Sequence, residues 1–192
     1  MTRERRLALV AITVAAVIAF LRWGLVGRNP QAPLPSALEG KTVPEAVELP
    51  LIGSESEVLF PFLAEGEEGW PAVTVVNFWG SWCTACEREM PHLVAIDKEW
   101  KACREEGGES CPVLLGVAFY DALENATAFL ENHDATYPNY LDLEGKVVVG
   151  WGIYGAPETF FVDRHGKIVE RWVGPIDVET LRRIAGEVAI LP

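Results

Sequence analysis

The chain has 192 residues, 49% of them hydrophobic and 23% charged, with 28 acidic against 16 basic side chains and a formal net charge of −12. That length accommodates one ordinary domain with an extension, and the acidic surplus excludes a nucleic-acid surface built on general charge attraction.

The N-terminus carries Arg3, Arg5 and Arg6, then an apolar run from Leu7 to Leu21 that continues past Arg22 through Trp23, Leu25 and Val26 to Arg28. A membrane span needs about 20 residues, which Leu7 to Val26 supplies if Arg22 snorkels to the interface beside Trp23. A cleavable signal peptide is the competing reading, but bulky residues occupy Arg22 to Val26, where a small-x-small cleavage site belongs. Residues 1–28 are therefore expected to be an uncleaved anchor, with the N-terminal arginines held in the cytoplasm and the rest of the chain outside. The exported part keeps 11 basic and 27 acidic residues, a net charge of −16. Such a surface favours solubility and would steer basic protein partners. Outside the cytoplasm cysteines can pair, and a dithiol kept reduced there needs an electron donor.

Residues 29–37 are rich in Pro and small side chains and read as a spacer. The remaining stretch, 38–192, reads as one domain. It begins with a Pro-punctuated section to Trp70, expected to form a short hairpin and a loop that holds the acidic run Glu65 to Gly69. Alternating elements follow: a strand at about Val73 to Trp79, a helix from Cys83 to about Arg104 that Pro91 should kink, and a strand at Val113 to Tyr120. Next come a helix at Ala122 to Asn132, strands at Thr159 to Asp163 and Lys167 to Val173 joined by the turn Arg164-His165-Gly166, and a last helix from about Asp177 to Ala189. The order β-α-β-α-β-β-α predicts a single α/β domain.

Trp82-Cys83-Thr84-Ala85-Cys86 sits where the first strand gives way to the first helix. A cysteine just before a helix meets unpaired N–H groups and the positive end of the macrodipole, which stabilise a thiolate. Thiol–disulfide exchange needs such a thiolate and a second thiol to resolve the mixed disulfide, so Cys83 is the expected attacker and Cys86 the resolver. The competing readings are half a zinc site and a static bridge. Zinc needs about four ligands, whereas Cys103 and Cys111 form no second Cys-x-x-Cys and His92, His133 and His165 are scattered. No metal and no cofactor is expected.

The run Val75 to Pro91, containing Val-Val-Asn-Phe-Trp-Gly-Ser-Trp-Cys-Thr-Ala-Cys-Glu-Arg-Glu-Met-Pro, resembles the membrane-anchored thioredoxin-like proteins of the TlpA, ResA and CcmG/DsbE type. Trp151-Gly-Ile-Tyr-Gly-Ala-Pro-Glu-Thr-Phe-Phe-Val-Asp163 resembles the CcmG/DsbE segment in particular, and the similarity spans roughly residues 38–185. The resemblance implies a thioredoxin-like fold, a mixed sheet flanked by helices with an N-terminal hairpin, carried on a single anchor in the bacterial inner membrane and facing the periplasm. It also implies a reductant of cytochrome c maturation. Such a protein takes electrons from a membrane donor of the DsbD or CcdA kind and passes them to apocytochrome c or to a maturation partner. Two alternatives remain: a general periplasmic thiol reductase or isomerase of TlpA type, and a binding module for thiol clients.

By the same resemblance Pro157 matches a cis-proline facing the dithiol, and Ala156 before it would offer its backbone to an extended client. Glu158 and Glu89 match acidic residues near the dithiol, where a carboxylate can move the proton that exchange requires. Glu89 is placed on an exposed helix face, and Trp82 is expected to shield the disulfide. Asn77 stands where ordinary thioredoxin has a buried aspartate, which removes that proton acceptor. Cys103 and Cys111 flank a short polar loop and are expected to form a structural staple, with free thiols or a second redox pair as alternatives.

Overall fold

The computed structural model describes residues 13–14, 16–17, 38–60, 71–108 and 110–191. The expected spacer at 29–37 and the acidic loop at 65–69 lie outside the described residues, as does nearly all of the expected anchor. No helix among the described residues is long and apolar enough to cross a membrane. All of the elements below belong to the compact unit Pro35–Pro192.

A short hairpin, β1 (Val47–Pro50) against β2 (Glu57–Phe60), precedes the main sheet. The main elements are β3 (Val73–Trp79), α1 (Thr84–Glu105), β4 (Val113–Phe119), α2 (Leu123–Asn132), β5 (Asn139–Asp142), α3 (Lys146–Gly150), β6 (Glu158–Asp163), β7 (Ile168–Val173) and α4 (Val178–Ala189). The sheet order is β5-β4-β3-β6-β7, with β3, β4 and β5 parallel and β6 and β7 antiparallel. Every residue of β3 is buried, as a central strand covered on both faces requires. Its period-two alternation sends Val73, Val75 and Trp79 into a core shared with α1, α2 and α4. Val76 and Phe78 face the opposite core, built with the hairpin, α3 and Trp151.

Two elements were not anticipated, β5 and α3. Asn139-Tyr140-Leu141-Asp142 has no β-branched residue and only four positions, so neither pattern nor propensity marks it as a strand. Tertiary contact supplies what is missing: β5 pairs with β4 on one side, and the hairpin's Leu51 bridges Tyr140 on the other, covering the sheet edge. The Asp142 carboxylate then accepts the N–H groups of Lys146, Val147 and Val148 and so starts α3. In α4 the Asp177 side chain does the same from the cap position, accepting from Thr180 N–H at 2.8 Å.

Cys103 near the end of α1 is bonded to Cys111 just before β4, with Cα atoms 5.9 Å apart. Gly108 packs on this bridge so closely that an added Cβ would fall 2.5 Å from Cys111 Sγ. Closing so short a loop stabilises by about 2 to 3 kcal/mol in the chain-entropy model. Urea unfolding of the Cys103→Ser/Cys111→Ser double variant should show a loss of that size, with the exchange rate at Cys83 unchanged. A changed exchange rate would instead make the pair a second redox centre.

Candidate active site

The site is assembled at the end of the sheet where β3 stops and α1 begins. Cys83 is the N-cap of α1, in extended backbone, and its Sγ accepts the N–H of Cys86 at 3.0 Å. Cys83 N–H in turn donates to Gly80 O at 3.0 Å, closing the turn between strand and helix. The two cysteines are joined as a disulfide with Cα atoms 5.2 Å apart. Cys86 is 0% exposed and Cys83 6%, so Cys83 is the one of the two that keeps any surface access. Trp82 is 54% exposed. Its ring rests on Gly80, lies edge-to-face with Phe119 at 5.5 Å and donates its indole N–H to Phe119 O at 3.3 Å.

Pro157 comes into this neighbourhood through sheet register. The pairing of β3 with β6 ends at Phe78 with Glu158, and Pro157 is the residue immediately ahead of β6 at that end of the sheet, where Trp79 closes β3. The Ala156–Pro157 bond is cis, and Ala156 packs against the core cluster that contains both cysteines.

Glu89 corrects the expectation of an exposed helix face, for it is 0% exposed. The buried stripe of α1 runs Cys86, Glu89, Met90, Leu93, Ile96, Asp97 and Trp100, a three-and-four spacing that includes position 89 whatever its chemistry. Three residues after Cys86, Glu89 is its neighbour on that face. Its carboxyl accepts from Asn77 Nδ2 at 2.8 Å and from Ile176 N–H at 3.1 Å. Burial pushes its pKa up from 4.5 to about 7, against the lowering effect of those two hydrogen bonds. Asn77 also donates to Thr159 Oγ1 at 3.1 Å. The position that lacks an aspartate in β3 is thus served by a carboxyl reaching in from α1.

Glu158 is buried as well, but its oxygens are engaged. Oε2 pairs with Arg171 at 2.6 and 2.8 Å, and Oε1 accepts the N–H groups of Tyr154 and Gly155 at 3.1 and 3.3 Å. These contacts bind the loop ahead of Pro157 to β6 and β7, and the guanidinium also lies 5.5 Å from the Tyr154 ring centre. Arg171 was missed from sequence. Strict alternation would set position 171 on the face opposite Ile168; a register shift between β6 and β7 at Phe161/Val162 lets both be buried, and the sequence carries no local signal for it. Removing one partner of a buried ion pair strands the other charge and costs about 3 to 5 kcal/mol. Arg171→Leu should lose that much in urea unfolding, and a loss below about 1 kcal/mol would show the pair to be relaxed by solvent.

Comparison with known proteins agrees with this geometry. The model of the AhpC/TSA family matches residues 63–171. The chain is 32% identical to the thiol:disulfide interchange protein HelX of Rhodobacter capsulatus, over 81% of this chain and 80% of that one. It is 33% identical to a thiol:disulfide interchange protein DsbE homolog of Paracoccus denitrificans, over 92% and 89% of the two chains. In three dimensions it superposes on a crystal structure of a thiol:disulfide interchange protein DsbE from Chlorobium tepidum with a TM-score of 0.63 and 22% identity, covering 80% of this chain and 99% of that one, a likeness of fold.

Proposed function

Since the chain belongs to the AhpC/TSA family and, within it, to the thiol:disulfide interchange proteins of the DsbE type, we propose that this oxidoreductase works as a reductant in cytochrome c maturation. In this reading residues 1–28 anchor it in the bacterial inner membrane, residues 29–37 are the spacer, and the domain from residue 38 faces the periplasm. The observation that carries the reading is the dithiol at the start of α1 with the Glu89 carboxyl buried on the same helix face.

The reaction balances without a bound cofactor. The Cys83 thiolate attacks one sulfur of a client disulfide; that S–S bond breaks, a mixed disulfide forms on Cys83, and the departing client thiolate takes up a proton. Cys86, buried, must then lose its proton to attack Cys83, and Glu89 is the carboxyl placed one helical turn away to accept it. The Cys83–Cys86 bond closes, the second client thiol is released, and two electrons have passed to the client. A membrane dithiol donor of the DsbD or CcdA kind restores the reduced form. Apocytochrome c, whose haem-attachment cysteines must be free thiols, is the client this direction serves, directly or through a maturation partner. The backbone of Ala156 beside Pro157 offers it an edge for strand addition, and Trp82 an exposed aromatic contact.

The direction is tested by equilibrating the protein with glutathione. A potential near about −270 mV, that of thioredoxin, is expected, because the Glu89 carboxyl, once ionised, disfavours the thiolate that would stabilise the reduced form. A value near about −120 mV would make the protein an oxidant and end this reading.

A further inference from the structure

The loop that presents Cys83 is held from one side by the end of β4, and nothing in the exchange chemistry above accounts for that bracket. Asp121, two residues past the end of β4, is buried, and its two carboxylate oxygens take separate hydrogen bonds from Ser81. Oδ2 accepts Ser81 N–H at 2.6 Å and Oδ1 accepts the Ser81 hydroxyl at 2.9 Å. The neighbouring Trp82 is tied to the same stretch through its indole N–H on Phe119 O. Of the two residues immediately ahead of Cys83, Ser81 is therefore fastened to Asp121 and Trp82 to Phe119. Between those anchors stands Tyr120 with φ of +49°, in the left-handed region that a bulky side chain rarely adopts. Such a backbone persists only where its surroundings over-determine it, and it clusters at functional sites.

We propose that Asp121 is a positioning residue for exchange: it fixes Ser81, and through Ser81 it holds the Cys83 sulfur against the N-terminus of α1. The proposal rests on the reading of Cys83 as the attacking thiol. A carboxylate gripping both a backbone N–H and a hydroxyl of one residue leaves that residue little freedom, and charge-assisted bonds of this kind are about twice as strong as neutral ones. The Cys86 N–H that meets Cys83 Sγ is useful to a thiolate only while the loop keeps the sulfur there. Misplacement of a reacting atom by about 1 Å can cost on the order of a hundredfold in rate.

Position and charge predict opposite signs, which makes the idea testable. The reduced full-length chain is titrated by iodoacetamide alkylation, with the labelled cysteine identified by mass spectrometry, and its reduction of 5,5′-dithiobis(2-nitrobenzoate) is timed at pH 7. Asp121→Ala should raise the pH midpoint of Cys83 alkylation and slow the reduction about tenfold, because the sulfur leaves its N–H partner. Asp121→Asn can keep an oxygen on Ser81 N–H while its amide donates to the hydroxyl, and should stay within about threefold of the parent. Glu87, Arg88 and Glu89 on α1 and the Glu158–Arg171 pair of β6 and β7 are unchanged in both variants, so a shift belongs to Asp121.

A midpoint that falls in both variants would mean that Asp121 acts as a nearby negative charge, and unchanged values in both would mean that it does not act on the dithiol; either result overturns the proposal. Labelling of Cys86 first in the unmutated chain would overturn the reading of Cys83 along with it. If Asp121→Ala fails to fold by circular dichroism, Ser81→Ala removes the hydroxyl bond alone. It should shift the midpoint upward by a smaller amount, and no shift would overturn the proposal.

Discussion

Replacing Cys86 with serine is expected to stop turnover and leave clients covalently attached at Cys83. Cys83 is the sulfur with surface access and the one that caps α1, whereas Cys86 is fully enclosed, so a client disulfide can reach only the first. With Cys86→Ser the mixed disulfide forms but has no internal thiol to resolve it, and turnover should fall by about a thousandfold or more, as for loss of a covalent-catalysis partner. Cys83→Ser should lose as much turnover and capture nothing. Non-reducing gels of membranes expressing each full-length variant, followed by mass spectrometry, make the check. Apocytochrome c or a maturation protein bound to the Cys86→Ser chain supports the specific reading. A broad set of unrelated clients points to the general reductase instead, and conjugates formed by the Cys83→Ser chain would reverse the roles of the two cysteines.

Glu89→Gln is expected to act on both rate and stability. As acceptor of the Cys86 proton, the carboxyl should contribute to the resolving step on the scale of general base catalysis, so its amide should slow that step about a hundredfold. Stopped-flow release of client from the mixed disulfide measures this directly, and a change below about threefold would remove Glu89 from the chemistry. For stability the sign follows from linkage. The folded-state pKa lies at about 7 and the solvated carboxyl of the unfolded chain at 4.5, so between those values the folded chain holds a proton that the unfolded chain has released. Stability from this group is fully present below about pH 4.5 and is lost as pH rises through about 7, by about 3 kcal/mol in all. Urea unfolding between pH 5 and 8 should show the parent losing stability and Glu89→Gln following a flatter line. Equal slopes would mean that Glu89 titrates normally despite its burial.

The dithiol, the strand before it and the helix after it were all legible in the sequence, because each depends on local information. An uninterrupted apolar strand, a cysteine at a helix start and an Asp at position 177 followed by a helical pattern state their own structure through backbone geometry and capping. The turn at Arg164 to Gly166 was legible for the same reason: Gly166 takes a φ of +71°, which glycine adopts freely. Pro157 could be placed by resemblance, and the cis bond is found there.

What sequence could not decide were the partners of polar residues far apart in the chain. Glu89 reads as an exposed helical carboxylate until α1 is laid on the sheet, where its place in the buried stripe brings it to Asn77 on β3 and to Ile176 ahead of α4. Glu158 reads as an acid near the dithiol until the pairing of β6 and β7, which sets Arg171 opposite Phe160, brings the guanidinium diagonally onto it. Asp121 reads as a loop residue until the return from β4 meets Ser81, and β5 becomes a strand only because β4 and the hairpin offer it pairs on both sides. The separation is physical: caps, turns and amphipathic stripes are set by interactions within a few residues. A buried charge can be tolerated only when tertiary packing supplies its hydrogen-bond partners, and no local pattern records which residues those will be.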